Sequence, residues 1–197
     1  SSFARLLRNK VGTLLNVYGP TEGVVSCTYH NVEETPDDSS IIAIGAPKHN
    51  TKLFVLDQHH QPLPVGIAGE LCIGGRSIAR GYINLDEVTR EHFINAVIEG
   101  DNHRIYRTGD RARLLNNGQI EFLGRLDDQI KIRGFRIELG EIESALRAVP
   151  GVQNAAVAPK LFAGSEVRLF AFVTLSDDSE PDIAEIQKHL SKTLPSY

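Results

Sequence analysis

YRTGDRARLLNNGQIEFLGRLDDQIKIRGFRIELGEIE, residues 106–143, decides how the chain is read. An alternating run, Arg104-Ile105-Tyr106-Arg107, predicts a strand that stops at Thr108-Gly109-Asp110, a small-polar cluster suited to a turn. A second strand pattern follows and reverses at Asn116-Asn117-Gly118, where an Asn-Gly pair can take the positive φ angles of a two-residue hairpin. The return strand, Gln119 to Leu123, ends at Gly124-Arg125-Leu126-Asp127-Asp128. Next come a basic alternating run from Gln129 to Arg133, a glycine at Gly134 and an amphipathic helix. Asp110 and Arg125 therefore fall at the same end of one hairpin, just before a polar break. Two opposite charges there can hold a polyol and a phosphate, or they can simply pair with each other.

At 197 residues, 41% of them hydrophobic, the chain is long enough for a real core in one or two domains. No apolar run approaches the roughly 18–20 residues of a membrane span, and no stretch reads as a signal peptide. The net charge is −4 with no basic stripe, which argues against nucleic acid or an anionic membrane as the main partner. Cys27 and Cys72 each sit in an apolar alternating run. They predict buried free thiols in a reducing compartment, hence a cytoplasmic protein. None of the seven histidines has metal-ligand spacing; His59-His60 lies in a turn between Asp57 and Pro62. The chain contains no methionine, even at position 1, so Ser1 is expected to be a cut point inside a longer polypeptide.

In chain order, residues 3–10 (FARLLRNK) predict a helix end, and Thr13 to Val17 a short strand buried on both faces. That strand runs into Tyr18-Gly19-Pro20-Thr21-Glu22-Gly23, a sharp turn carrying a hydroxyl and a carboxylate at a strand's C-terminal end, where open α/β sheets place ligands. The turn is either a plain capped turn, or one phosphate-binding hydroxyl beside one hard oxygen ligand for Mg²⁺. Val24 to His30 predicts a strand with Val25, Cys27 and Tyr29 on one side. Strands at Leu53–Leu56 and Gly69–Ile73, separated by Pro- and Gly-rich turns, suggest a small barrel or sandwich. Asp86 is expected to cap a short helix, 86–93. Beyond Gln129 the pattern is strand, helix, strand, strand, helix. Leu139, Ile142, Leu146 and Val149 lie on one helical face, and Pro181 starts a last helix.

The runs NVYGPTEG (16–23), GELCIGGRSIARGY (69–82), YRTGD (106–110) and GRLDDQIKIRGFRIELGEIE (124–143) resemble the adenylate-forming enzymes, and within them the adenylation domains of nonribosomal peptide synthetases. LPSY at 194–197 resembles the start of one more family motif. Four long motifs in order are far more specific than a lone glycine pattern. The resemblance implies a mixed α/β and α+β fold. Residues 1–126 would be the end of the large subdomain, with a small distorted β-barrel, and 127–197 a truncated lid subdomain of compact α+β form. It implies ATP and Mg²⁺ as cofactors, an amino acid or other small carboxylate as substrate, and a carrier domain bearing phosphopantetheine as partner.

By motif position, Asn16 would help form the adenine pocket, Tyr18 would stack on adenine, and Gly19 would line the nucleotide site. Thr21 would bond the α-phosphate and Glu22 would hold the metal. Asp110 would accept both ribose hydroxyls. Phe122 stands where the family often has Tyr, keeping the apolar wall without the hydroxyl. Arg125 would reach ribose and phosphate, with Lys131 as a further nucleotide contact. Asp127 falls at the family's hinge, and Arg133-Gly134 on a loop that would enter the site in a second pose. Val17, Val25 and Ser26 match positions lining the amino-acid pocket. The resemblance also implies that the phosphate loop and the acid for the substrate ammonium precede Ser1, and that a catalytic lysine follows Tyr197. Two other readings stay open: an acyl- or aryl-CoA ligase or stand-alone carrier-protein ligase of the same superfamily, and a non-catalytic nucleotide-binding or interaction module. The 197 residues by themselves are expected to show no adenylation; amino-acid-dependent exchange of pyrophosphate into ATP by the isolated chain would contradict this.

Overall fold

The computed structural model describes residues 11–36, 41–127, 129–132, 135–162, 167–176 and 182–195. The helix expected at 3–10, the Arg133-Gly134 loop, Pro181 and the last two residues of LPSY lie outside them. Two compact units result, Ser1–Asp127 and Asp128–Tyr197.

The first unit holds two antiparallel sheets. In one, β1 (Leu15–Tyr18), β2 (Thr28–Asn31) and β3 (Ala46–Pro47) lie side by side in that order. The other contains β4 (Thr51–Leu56), β5 (Ala68–Gly75), β6 (Phe93–Ile98), β7 (Asp101–Leu114) and β8 (Ile120–Arg125). Its order is β4-β5-β7-β6, with β8 also on β7. One edge of β7 pairs with β5; the other is shared, its first half with β6 and its second with β8. A helix, α1 (Asp86–His92), leads directly into β6. The segment before β3 is tied to β8, because the Ile44 N–H donates to the Ile120 carbonyl and the Ile120 N–H to the Gly45 carbonyl, both at 2.8 Å.

The large sheet is buried on both faces, which explains the unbroken apolar run Leu71-Cys72-Ile73 in β5. Leu71 and Ile73 join Tyr18, Cys27, Val55, Phe93, Tyr106, Ala112 and Ile120 in one cluster. Cys72 faces the other way and packs with Leu56, Ala96, Ile98 and Ile105. Both cysteines are free and buried, as expected. Burial pushes the Cys27 thiol up to about 11 and raises Cys72 further, so both stay protonated at neutral pH.

Several local expectations fail for identifiable reasons. Thr108-Gly109-Asp110 is not a turn: β7 runs through it, and the three residues bulge opposite Leu71. The reversal at 116–118 is a three-residue loop in which only Gly118 has a positive φ, with Gly118 N–H bonded to the Leu115 carbonyl. Val25 does not share a face with Cys27. Val24 and Val25 both adopt left-handed φ angles, so β2 starts only at Thr28 and Val25 is 80% exposed. β1 is not buried on both sides either; Leu15 and Val17 are about half exposed. Asp86 is the first helical residue rather than the cap, which is Leu85, and Phe93 belongs to β6.

The second unit consists of β9 (Ile130–Ile132), β10 (Phe135–Ile137), α2 (Leu139–Arg147), β11 (Val152–Leu161), β12 (Val167–Leu175) and α3 (Ile183–Thr193). β10 is an additional strand: it hairpins on β9 where the sequence suggested direct entry into a helix. β11 and β12 form a second hairpin. Leu139 and Leu146 from one side of α2 pack with Val157, Ile130, Ile137, Ile186 and Leu190 as this unit's core. The Asp182 side chain caps α3 by accepting from the Ala184 N–H at 3.4 Å.

Gly45 and Gly66 both have left-handed φ angles, +95° and +85°. A Cβ on Gly45 would lie 1.9 Å from the Tyr29 carbonyl oxygen, whereas one on Gly66 would meet nothing. Gly66→Ala should therefore cost only about 1–2 kcal/mol of backbone strain. Gly45→Ala should cost clearly more and loosen the junction between the two sheets. Urea unfolding of the two variants checks this, and equal midpoints would contradict it.

Candidate functional site

Asp110 lies on the face of β7 that also carries Tyr106, Thr108 and Ala112, all buried in the main core. Its side chain is only 5% exposed. A buried carboxylate needs partners, and three segments supply them. The Tyr18 phenol at the end of β1 donates to Asp110 Oδ2. Arg125 at the end of β8 stands opposite Asp110 in the ladder, and its Nη1 donates to Oδ1 at 2.9 Å. Of the two outcomes left open for Asp110 and Arg125, the pairing is therefore realised. It uses two of the roughly four lone-pair sites of the carboxylate.

The bulge is itself held. Thr108 Oγ1 donates to the Leu71 carbonyl at 2.7 Å and accepts from the Asp110 N–H at 2.9 Å. Glu70 Oε1 accepts from the Gly109 N–H at 3.2 Å, and its Oε2 takes Nε and Nη2 of Arg107. Gly109 has φ +68°, and a Cβ there would lie 2.6 Å from Arg125 Nη2. Arg125 also donates through Nη1 to the Thr108 carbonyl at 3.0 Å and through Nε to Asp127 Oδ1 at 2.6 Å. One guanidinium thus spans two carboxylates and a carbonyl.

The second candidate segment follows β1. Pro20 leads into a single 3-10 turn, Thr21–Gly23, that exposes Thr21 and buries Glu22. Glu22 Oε1 accepts from the Tyr82 phenol at 2.5 Å, and its main-chain carbonyl from the Ala79 N–H at 2.8 Å. Burial raises the Tyr82 phenol far above its ordinary value, and burial with the Asp110 charge does the same to Tyr18. Both phenols are therefore donors at any physiological pH. The two segments meet through Tyr18, which stands at the head of this turn and reaches Asp110 across 92 positions of sequence.

The remaining candidates distribute as follows. Phe122 sits beside Tyr18, ring centres 6.3 Å apart. Asn16 donates its amide to the Ala43 carbonyl at 2.7 Å. Ser26 accepts from the Lys48 ammonium, while Val17 and Val25 are exposed. Gly19 packs too closely on Ser26 for any Cβ, which would lie 2.6 Å from Ser26 Cα. Asp127 ends the first unit, bonded to Arg125. Lys131 belongs to the second unit, in β9, in register with Arg136. Sequence reasoning assigned nothing to Tyr82, Glu70 or Arg104. Tyr82 closes the quoted 69–82 run, but its partner lies 60 positions away, which no local pattern reveals.

Among the described residues no group of three or more His, Cys, Asp or Glu could hold a metal ion. A single carboxylate such as Glu22 does suit Mg²⁺, which takes one or two carboxylates and completes its shell from phosphates and water. An open cavity of about 480 Å³ lies elsewhere on the first unit, lined by His30, Glu34, Arg113, Gln119 and Glu121 among others and by none of the candidate residues. No described helix is long and apolar enough to cross a membrane.

Two antiparallel sheets followed by a small α+β unit are the architecture of the C-terminal part of an adenylate-forming domain, as solved structures show. Residues 1–83 match the family model described as AMP-binding enzyme, and residues 141–197 that of the AMP-binding enzyme C-terminal domain. The chain belongs to the AMP-binding enzyme family. It is 49% identical to a linear gramicidin synthase of Brevibacillus parabrevis over 93% of its length, and 43% identical to a surfactin synthase of Bacillus subtilis (strain 168) over 94%. It spans only 2% and 14% of those relatives. An artificially fused adenylation–PCP di-domain nonribosomal peptide synthetase from Klebsiella oxytoca superposes with a TM-score of 0.78 at 28% identity, over 98% of this chain and 36% of that one. A four-domain nonribosomal peptide synthetase bound to AMP and glycine is 41% identical over 100% of this chain and 14% of that one, with a TM-score of 0.59.

One buried imidazole borders the cavity. His30 Nε2 bonds Thr35 Oγ1 at 2.6 Å, while Nδ1 is buried with no hydrogen-bond partner among the described residues. Burial lowers its pKa below the ordinary 6.5. The folded state therefore favours the neutral ring. The resulting stability is fully present above the unfolded pKa and is lost as pH falls through the folded one. Wild-type stability should drop below about pH 6.5 by up to about 1.4 kcal/mol per pH unit more than that of His30→Gln. Urea midpoints measured between pH 7.5 and 5 test this, and parallel curves would contradict it.

Proposed function

We propose that this chain is the C-terminal part of an amino-acid-activating adenylation domain. The domain joins an amino acid to AMP and then loads it onto a carrier domain's phosphopantetheine. The observation that carries the reading is the Tyr18–Asp110–Arg125 junction, which unites the ends of three motifs around one buried carboxylate. The relatives' names and the AMP- and glycine-bound neighbour support it. In the first half-reaction a carboxylate oxygen of the amino acid attacks the α-phosphorus of ATP, and the bond to pyrophosphate breaks. In the second, the carrier thiol attacks the acyl carbon and AMP leaves with the electron pair.

Such chemistry asks the protein mainly to position groups and to neutralise charge. Asp110 keeps two lone-pair sites for the paired ribose hydroxyls while Tyr18 and Arg125 fix its plane. Arg125 lies beside it for the phosphate side. Tyr18 and Phe122 supply an apolar wall with Asn16 and Gly19 for the base. Thr21, exposed on its turn, would meet the α-phosphate. Glu22 would hold Mg²⁺, whose role when bound is to offset triphosphate charge. Ser26, Val17 and Val25 border the amino-acid side chain. Asp127, the last residue of the first unit, marks the hinge. Both thiols, buried and protonated, fit a reducing cytoplasm.

In the full-length protein, Asp110→Ala removes a charged double acceptor. It should weaken ATP binding by about 1.5–3 kcal/mol, or more than tenfold. Isothermal calorimetry on variants with native circular dichroism tests this; unchanged affinity would remove Asp110 from the nucleotide site.

A further inference from the structure

We infer that Tyr82 is a positioning residue for the Glu22 carboxylate, and that the segment Ala79–Tyr82 is a braced platform built for that task. The inference rests on the proposed role of Glu22 toward a nucleotide-bound divalent cation. Glu22 is gripped at both ends by the same four-residue segment: Ala79 N–H on its carbonyl, and Tyr82 Oη on Oε1.

The platform is in turn clamped by three elements. From β7, Arg104 donates Nη1 to the Ala79 carbonyl at 2.8 Å and Nη2 to the Arg80 carbonyl at 2.7 Å. From α1, Thr89 Oγ1 accepts from the Tyr82 N–H at 2.9 Å. From β6, the Phe93 ring takes Tyr82 edge-on at 5.6 Å and carries the Arg104 guanidinium 4.9 Å from its centre. Gly81 admits this closeness: its φ is +150°, and a Cβ would sit 2.4 Å from Thr89 Cγ2. A surface loop that merely connected β5 to α1 would not need an arginine fork on two successive carbonyls.

The phenol is well suited to the role. It is a neutral donor on a rigid ring, so it orients the carboxylate without cancelling the charge that a cation needs. A lysine there would compete with the metal.

The test uses the full-length protein and four variants: Tyr82→Phe, Glu22→Gln, the double variant, and Arg104→Lys. The readout is Mn²⁺ affinity in the presence of a non-hydrolysable ATP analogue, followed by electron paramagnetic resonance, with urea midpoints alongside. Tyr82→Phe keeps the ring packed on Phe93 and should weaken Mn²⁺ about tenfold, as loss of one bond to a charged acceptor does. In the Glu22→Gln background it should add less than twofold, because both act through one carboxylate. Arg104→Lys should weaken Mn²⁺ about threefold, which keeps the idea testable if Tyr82→Phe does not fold. Wild-type affinity in Tyr82→Phe or in Arg104→Lys, with Glu22→Gln weakened, overturns the positioning role alone. So does an undiminished tenfold effect in the double variant. Unchanged affinity in Glu22→Gln removes the cation from Glu22 and takes down the underlying reading as well.

Discussion

A carboxylate on the core-facing side of a strand must be satisfied or the strand will not stay, and Asp110 is that group. Its neighbours on the same face, Tyr106 and Ala112, are fully buried, so bulk water is not at hand to solvate it. Its partners arrive from β1 and β8, and β7 therefore cannot form its native geometry without both. Removing one partner of a buried ion pair typically costs about 3–5 kcal/mol. An exposed pair such as Arg147–Glu143, 3.9 Å apart, contributes about 0–1 kcal/mol. The difference explains why the ends of three separate segments, one from the small sheet and two from the large one, stay together.

The same constraint shapes the backbone around it. β7 carries a bulge opposite Leu71, and a side chain on Gly109 at its centre would press on the head groups of Arg125 and Asp127. Thr108 and Glu70 take up the polar groups that the bulge removes from the ladder. Strain and polarity placed inside a core are common marks of a functional site, since a purely structural strand would satisfy its groups more cheaply. The guanidinium that serves Asp110 also holds Asp127, two residues further along its own segment and the last residue of the first unit.

What could be read from the residues follows from the range of the forces. The apolar run of β5, the facing of Asp110 and Arg125 across one hairpin, and the core face of α2 are local patterns and were legible. Thr108-Gly109-Asp110 looks like a turn because small polar residues favour turns; β5 and β8 on its two sides hold it as strand instead. Val25 and Cys27 alternate in sequence but not in space, because two consecutive left-handed residues break the period. The strand β10 was hidden by its shortness and by the helix pattern that follows. The bonds from Tyr18 to Asp110 and from Tyr82 to Glu22 span 92 and 60 positions, and only the fold creates them.

Those two bonds have the same chemistry. Each buried acid is met by a tyrosine whose phenol burial keeps protonated, and each tyrosine lies in a motif other than that of its acid. A phenol fixes direction through one O–H and leaves the anion charged, whereas a guanidinium or ammonium fixes direction and neutralises. At Asp110 the structure uses both, with one arginine shared between two acids. Ribose hydroxyls are neutral donors that need an oriented acceptor, so partial neutralisation there costs little. A cation ligand needs its charge, so a neutral donor suits the role proposed for Glu22. On the roles proposed for the two acids, the phenol at Glu22 suits a cation ligand, and the phenol and guanidinium at Asp110 suit an acceptor of neutral hydroxyls.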